Sequence, residues 1–453
     1  MSTATSFNWA EVVDYAKRTP TVPPETQYEL PGVTVEDHLG VPVAVVPLWH
    51  AVVTARLNVP KGDTKALRSA QERLNQALKE VETIYPLSPG GIFIQVAYGL
   101  PYFRDYIPAK VADRFMPRAL DDGKPQDWAL IDSIKFPKDP ATLVLEHNEI
   151  SFHFKSDYNE HITNVMHALF HPGTHFLNGI PAETVYVGDL FNLTSIRRGF
   201  AGCGMPRKMA QRLRIPGGDK IPAGAMLFMG FTSSHLHGLA QGNLPSFETV
   251  PGYTDQTPES YFAHGTMMHL SHIVIDLEGW YSLDHKNRLH RMFNPRRTEA
   301  PEHLSPSQSP ETTTFKEQLE EDAKKTGILG HNAQMQFLSR VGKNTTTAYG
   351  QELPKGTVIF LRQDFDTVEN PFEFDAGGPV SPSPVPGVHF IGFAPSAQLF
   401  EKVRKEMDGV ELQQKYHLPD TNTGFTKFLV TTHRQNYLEP PRAHRSFPLA
   451  ELT

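Results

Sequence analysis

The chain has 453 residues with 43 Lys and Arg against 50 Asp and Glu, so its formal charge is −7 and no nucleic-acid partner is expected. Its length and its 39% of hydrophobic residues allow a sizeable core, while a single cysteine excludes an internal disulfide framework. No apolar run is long enough to span a membrane, so the sequence predicts a cytoplasmic protein that does not bind membranes.

The first half alternates between predicted strands and helices after a polar N-terminal arm, residues 1–40. A strand-like run from Val41 leads into a helix, because the leucines and valine of KALRSAQERLNQALKEV form one apolar stripe. Two strands at Gly91–Tyr98 and Thr142–Phe154 and a helix at Asn159–Phe170 follow. Strand, helix, two strands and helix in this order are typical of a ferredoxin-like unit.

The second half repeats this pattern over residues 216–410, after a first half of residues 41–215. Its predicted elements are strands at Ala225–Phe231, Thr266–Ile275, Thr357–Arg362 and Val388–Phe393, and helices at Leu277–Phe293 and Ser396–Met407. Residues 296–323 form a polar insertion and residues 411–453 a C-terminal extension. The predicted fold is α+β, with two tandem ferredoxin-like halves.

A glycine-rich segment, residues 197–208 (RRGFAGCGMPRK), lies where the halves meet. Its glycines indicate a backbone with unusual dihedral angles or one pressed against something flat, and a simple crossover loop explains them equally well. A phosphate loop is disfavoured because the glycine-lysine-hydroxyl spacing is incomplete. Cys203, beside Arg198 and Arg207, is either an activated nucleophile or, as we favour, a small residue packed against a flat surface.

Two histidine pairs are weak candidates for a metal site. His269 and His272 point to opposite faces of one predicted strand, so they cannot jointly bind a metal unless the strand is bulged. Each alone is interpreted as a hydrogen-bonded core residue. His235 and His237 follow a predicted strand into a loop and are interpreted as surface residues.

His331 is the strongest single candidate for a ligand. It follows Gly327 and Gly330 in a polar stretch that has no helix or strand pattern of its own. Asn332 or Gln334 could hold the second ring nitrogen, as metal-bound imidazoles usually require. One histidine without further ligands remains a weak signal, so a packing role stays open.

The order of these features resembles the dye-decolourising (DyP-type) haem peroxidases over roughly residues 50–410. The matching segments are the glycine loop at 199–202, the run at 224–231, the Gly-Thr-Met start of a strand at 265–267, the Leu-Glu-Gly-Trp helix start at 277–280, and His331 in the place of the haem-ligand histidine. The ending at 440–449 (PPRAHRSFPL) resembles that of uncharacterised actinobacterial proteins. The resemblance implies a fold of the dimeric α+β barrel type.

Two expected side chains are missing from this pattern. The family's distal aspartate falls on Gly202, and its distal arginine falls near Thr345–Thr347. Loss of a general acid–base typically lowers a rate by about 10²–10⁴. We therefore expect Arg207 to act as a substitute cation and His269 as a substitute base.

The resemblance implies haem b, with its iron bound by His331. The further residues expected to contact the cofactor are Arg198, Gly199, Phe200, Gly202, Cys203, His272 and Asn332. The implied function is oxidation of an organic, for example aromatic, substrate by peroxide or oxygen, and a homo-oligomer is allowed. Two alternatives stay open: a haem-dependent dehydratase or rearrangement enzyme, and a non-catalytic haem carrier, sensor or structural subunit.

Overall fold

The computed structural model describes residues 22–37, 42–173, 175–182, 184–231, 245–296, 316–372 and 384–453. The helices are α1 (Thr64–Ile84), α2 (Leu100–Asp105), α3 (Ala109–Phe115), α4 (Asn159–Phe170), α5 (Met205–Arg212), α6 (Leu277–Ser282), α7 (His285–Met292), α8 (Lys316–Thr326), α9 (His331–Gln336), α10 (Ala397–Asp408) and α11 (Val410–Tyr416). The strands are β1 (Thr34–Asp37), β2 (Pro42–Val45), β3 (Trp49–Leu57), β4 (Phe93–Gly99), β5 (Arg118–Asp121), β6 (Lys124–Trp128), β7 (Val144–Leu145), β8 (Ile150–Ser156), β9 (Phe176–Leu177), β10 (Ile180–Pro181), β11 (Phe191–Phe200), β12 (Thr266–Ile275), β13 (Thr345–Thr346), β14 (Glu352–Leu353), β15 (Leu361–Arg362), β16 (Phe365–Thr367), β17 (Gly387–Ala394) and β18 (Leu429–Glu439).

Two ferredoxin-like units form one closed barrel. In the first unit the sheet order is β11-β3-β8-β4, and in the second it is β16-β17-β12-β18. Each is an antiparallel sheet in which the strand that begins the unit lies between its third and fourth strands. The units join where β11 pairs with β16 and where β4 pairs with β18, so the sheet returns to its start. The predicted α+β fold with two ferredoxin-like halves is confirmed.

Helices α1 and α10 lie on the outside of the barrel, and each presents one apolar stripe to it. In α1, Leu67, Leu74, Leu78 and Val81 are buried against the sheet. The carboxylate of Asp63 accepts a hydrogen bond from the Ala66 N–H at 2.9 Å and so caps the first turn. In the second half, α10 packs against β12 and β17 in the same way.

The interior of the barrel is unusually polar. Lys155 donates hydrogen bonds to the side-chain oxygens of Gln95 and Gln363, and all three residues are buried. His50 and His153 are hydrogen-bonded at 3.1 Å. Burial lowers the pKa of Lys155 to about 7, because the low-dielectric interior disfavours its charge.

The structure differs from several predicted elements: the strand predicted at Thr142–Phe154 is divided into β7 and β8, and of the strand predicted at Thr357–Arg362 only β15 forms. Residues 225–231 form turns rather than a strand, and the helix predicted at Leu277–Phe293 is divided into α6 and α7. The strand β18 lies inside the segment 411–453 predicted as an extension, so the second unit continues to Glu439. None of the helices among the described residues is long and apolar enough to cross a membrane.

Candidate functional site

His331 begins helix α9 and is held there by its backbone surroundings. The preceding Leu329 donates a hydrogen bond to Asn422 O at 2.8 Å and accepts one from the Gly424 N–H at 2.7 Å. At Gly330 an added Cβ would lie 2.0 Å from Phe293 O, so only glycine allows this close approach. The position of His331 is therefore fixed by the close approach of Gly330 to Phe293, by the backbone hydrogen bonds of Leu329 and by the start of α9.

The imidazole of His331 is buried but leaves a nitrogen without a partner. Its side chain packs on Phe425 with ring centroids 4.0 Å apart, and the residue is 5% exposed. Among the described residues no group forms a hydrogen bond with its buried Nδ1. Burial, reinforced by the positive charges of Arg362 and Arg404, lowers the pKa of His331 to about 3. The ring is therefore neutral at physiological pH, the state in which imidazole binds metals.

Two cavities share the His331 side chain as part of their walls. Counting the open space at their mouths, their volumes are about 760 and 750 Å³. The residues common to both are Ile273, His331, Arg362, Phe390, Met407, Phe425 and Leu429. The space that a water molecule can enter is about 70 and 110 Å³, so a ligand of porphyrin size requires apolar side chains to move apart.

The first cavity has a cationic wall. Lys138, Arg404 and Arg434 line it together with Asp139. Asp139 lies 2.5 Å from Arg434 and 3.3 Å from Arg404, so it neutralises part of this charge. Guanidinium groups in such a wall are suited to bind carboxylates.

The second cavity has a row of charged residues that the sequence analysis missed. Arg362, Asp364 and Asp366 alternate along β15 and β16, so they share one face, and all three line this cavity. Arg362 Nη1 lies 3.4 Å from Asp364 Oδ2. The signal that could have revealed them is the spacing of charges at every second position directly after the apolar run at 357–361.

The glycine-rich segment does not line either cavity. Phe200 packs against Phe228 in an apolar cluster, and Cys203 Sγ donates to Gly224 O at 3.3 Å. Arg198 reaches Thr163 at 3.3 Å and Arg207 reaches Ile221 O at 3.0 Å. Their contacts, like those of Gly199 and Gly202, are thus to protein, and a role towards a cofactor stays a prediction.

The predicted histidine and asparagine partners are also engaged elsewhere. His269 is stacked on Phe400 and hydrogen-bonded through both ring nitrogens, to Asn436 at 2.7 Å and to Ser271 at 2.6 Å. Neither nitrogen is available to act as a base in this arrangement.

His272 points into the barrel, opposite to His269, and its Nδ1 lies 2.6 Å from Thr432 Oγ1. Asn332 accepts a hydrogen bond from Gln336 on its own helix, and Gln334 donates to Glu406 O and Met407 O. Neither amide holds the ring of His331. The pair His235 and His237 lies outside the described residues.

No three His, Cys, Asp or Glu side chains in the described part of the chain lie close enough to hold a metal ion by themselves. A porphyrin, by contrast, brings its own nitrogen ligands and needs one axial imidazole from the protein. The chemistry of this site suits a porphyrin: the neutral His331 ring can bind the metal, the apolar walls can cover the macrocycle, and the neighbouring arginines can pair with its carboxylates.

The chain is similar to solved structures of DyP-type proteins. The match to DyPB from Rhodococcus jostii RHA1 has 11% identity and a TM-score of 0.50, and covers 88% of this chain and 95% of that one. A variant of the same protein in complex with heme matches equally well. The dye-decolorizing peroxidase from Bacteroides thetaiotaomicron matches at 12% identity, a TM-score of 0.49, and 94% and 98% coverage. At these identities the likeness concerns the fold alone.

A family model also matches most of the chain. Residues 47–441 match the model described as a family of unknown function, DUF7405. No curated protein matches the sequence.

Proposed function

The chain belongs to DUF7405, a family of unknown function, and from its own site we propose that it binds haem b through His331 and oxidises an organic substrate with peroxide or oxygen. The observation that carries the proposal is the buried, neutral imidazole with an unpartnered Nδ1, set in the shared wall of two cavities. The DyP-type fold supports it, because one of the similar structures contains heme.

The side chains around His331 have separate tasks in this proposal. The imidazole would hold the iron, and the haem, when bound, would supply the oxidation chemistry. Arg404, Arg434 and Lys138 line one cavity and are placed to pair with the carboxylates of a porphyrin. Apolar groups such as Phe390 and Leu429 exclude water from the macrocycle faces.

The charged row on β15 and β16 supports oxidation over simple carriage. Arg362 places a cation in the wall of the second cavity, where it would stabilise negative charge on a small oxidant held there. Preorganised donors of this kind typically contribute about 10²–10³ in rate. This arginine replaces the cation that was expected near Thr345–Thr347.

Hemin titration tests haem binding directly. We expect purified protein, with or without added hemin, to develop a Soret band, and the variant H331A to lose or shift it while its circular dichroism is unchanged. The control is H171A, which removes an exposed histidine that lines neither cavity. A wild-type protein that leaves the spectrum of free hemin unaltered would reject the proposal.

Dye oxidation tests the activity. The haem-loaded protein should oxidise an organic dye with hydrogen peroxide faster than the same concentration of free hemin. Spectral changes with candidate substrates in the absence of peroxide, together with no dye oxidation, would instead point to non-redox haem chemistry. A cytoplasmic location and a homo-oligomer belong to the same proposal, and cell fractionation and light scattering after gel filtration test them.

A further inference from the structure

The feature that the proposed function leaves unexplained is the carboxyl group of Asp366. Its residue is 0% exposed, and its side chain lines the second cavity together with His331 and Arg362. The neighbouring Phe365 points the other way, into the barrel, where it stacks on His50 with ring centroids 4.9 Å apart. The alternation of the strand thus fixes the carboxyl group on the cavity side.

Among the described residues no side chain forms a hydrogen bond with either carboxyl oxygen of Asp366, and only a backbone group, that of Phe228, lies close enough to lower its pKa. A buried carboxyl group without a side-chain partner is rare, because its desolvation is poorly compensated. Such a group is a candidate for a functional role.

The glycine-rich segment explains how Asp366 reaches this place. Phe200, at the end of β11, is paired with Asp366 in the sheet. An added Cβ on Gly199 would lie 2.1 Å from the carbonyl oxygen of Asp366, so the two strands can approach only because residue 199 is a glycine. The resemblance expects an acidic residue at position 202, where this chain has a glycine. The same segment lies against β16, which carries the acidic Asp366.

The surroundings of Asp366 favour its protonated form. Burial raises its pKa well above the ordinary value, and the nearby Asp364 raises it further, whereas the backbone N–H dipole of Phe228 opposes this in part. The other charged or titratable groups that line the cavity are Arg362 and His331. The strands paired with β16 contribute Phe200 and Val388 at this register.

We propose that Asp366 is the proton-carrying acid of the second cavity, acting on a small oxygen ligand such as hydrogen peroxide held beside Arg362. The inference rests on the proposed function and gives it the acid–base group that Gly202 lacks.

The step moves protons only. The protonated carboxyl group gives its proton to one oxygen of H–O–O–H, and its other oxygen takes the proton of the second peroxide oxygen. The peroxide is left with both protons on one oxygen, the carboxyl group is restored, and no electron changes place. The positive Arg362 guanidinium stabilises the oxygen that has lost its proton.

Infrared difference spectroscopy of the haem-free protein tests the protonation state by itself. The spectrum of the wild type minus that of D366N at neutral pH should contain the carbonyl stretch of a protonated carboxylic acid. The comparison with D121N, which changes an exposed carboxylate, should not contain it. The proposal fails if the wild-type band is absent or survives in D366N.

Peroxide kinetics of the haem-loaded protein test the role. D366N should keep its Soret band and hemin affinity but react with hydrogen peroxide about 10²–10⁴-fold more slowly, and D366E should recover part of the rate. In the wild type the rate should fall as alkaline pH removes the proton, and in D366N this limb should be missing. Equal rates and equal pH profiles for wild type and D366N would overturn the role of Asp366.

These outcomes separate the two proposals. A wild-type protein that binds no hemin rejects the proposed function, whatever the infrared result. Normal hemin binding and peroxide reaction in D366N rejects only the inference about Asp366.

Discussion

Arg434 and Asp139 form a buried two-pronged ion pair, with Nη1 2.5 Å from Oδ2 and Nη2 2.9 Å from Oδ1. Their side chains are 2% and 1% exposed. The same carboxylate lies 3.3 Å from Arg404, so one negative charge serves two cations at the wall of the first cavity. Both guanidinium groups also lie over Phe136, whose ring adds a cation–π contact to each.

D139N should destabilise the protein strongly, because it leaves the buried Arg434 without its counter-charge, whereas Arg404 keeps its pair with Asp408. Breaking a buried pair by removing one partner costs about 3–5 kcal/mol. Chemical denaturation measures this loss. D132N is the matched control, since its pair with Arg104 is exposed and should contribute no more than about 1 kcal/mol. Similar losses for both variants would contradict the prediction.

The barrel histidines should make the protein sensitive to acid. Burial, reinforced by neighbouring cations, lowers the pKa of His50 and of His272 to about 3. Above the ordinary pKa of about 6.5 each ring is neutral in both the folded and the unfolded chain. As the pH falls from about 6.5 to about 3, only the unfolded chain takes up the proton. Each histidine therefore lowers the free energy of unfolding by about 1.4 kcal/mol for each unit by which the pH falls.

The pH dependence of unfolding between pH 7 and 4 measures this effect. The slope of the free energy of unfolding against pH should be shallower for H50Q than for the wild type. The comparison uses only the slopes, so a difference between the two proteins in the free energy of unfolding at pH 7 does not affect it. H171Q, at an exposed position, should keep the wild-type slope. The prediction is wrong if H50Q and H171Q have equal slopes.

G330A should displace the start of α9 and with it His331. The added Cβ would lie 2.0 Å from Phe293 O, and backbone cannot move aside as a flexible side chain can. Overpacking of this kind costs about 1–3 kcal/mol or more. G342A is the control, since nothing lies within 4 Å of its Cβ position. Thermal unfolding of both variants decides the point, and a G330A protein as stable as G342A would refute it.

F447A should show that the C-terminal residues belong to the core. Phe447 is 0% exposed, and its N–H donates to Tyr98 Oη at 2.6 Å. Truncation of a buried phenylalanine costs about 3–5 kcal/mol. L452A removes a side chain that is 42% exposed and should change the free energy of unfolding by less than about 0.5 kcal/mol. Denaturant titration of the two variants compares them, and a mild effect of F447A would show that the terminus packs loosely.

The fold could be predicted because apolar residues recur about every second position in its strands and about every 3.6 positions in its helices. The strand Thr266–Ile275 has the predicted bounds, and the helix predicted at Ser396–Met407 begins and ends one residue later. The strand β18 was missed because buried polar side chains lie on both of its faces. Gln435 and Asn436, which point to opposite faces, break the apolar alternation that identifies a half-buried strand.

The site could be predicted only in part. His331 became a candidate because its glycine neighbours and its place in the DyP-type order singled it out, and its role as a ligand stays a prediction. Arg362 and Asp366 were not found, because the predicted strand ended at residue 362 and the alternation was not followed beyond it. The approach of Asp366 to Phe200 joins residues from different halves of the chain, and no local pattern in one sequence records such a pairing.

The ring of strands also determines how this polypeptide can be divided. Each ferredoxin-like unit ends at two outer strands, and these find their hydrogen-bonding partners on the opposite unit, at β11–β16 and at β4–β18. A fragment carrying one unit would display two bare strand edges, which invite pairing with any other chain. The two units of this chain therefore depend on each other for their edge-strand pairing, as the subunits of an obligate dimer do.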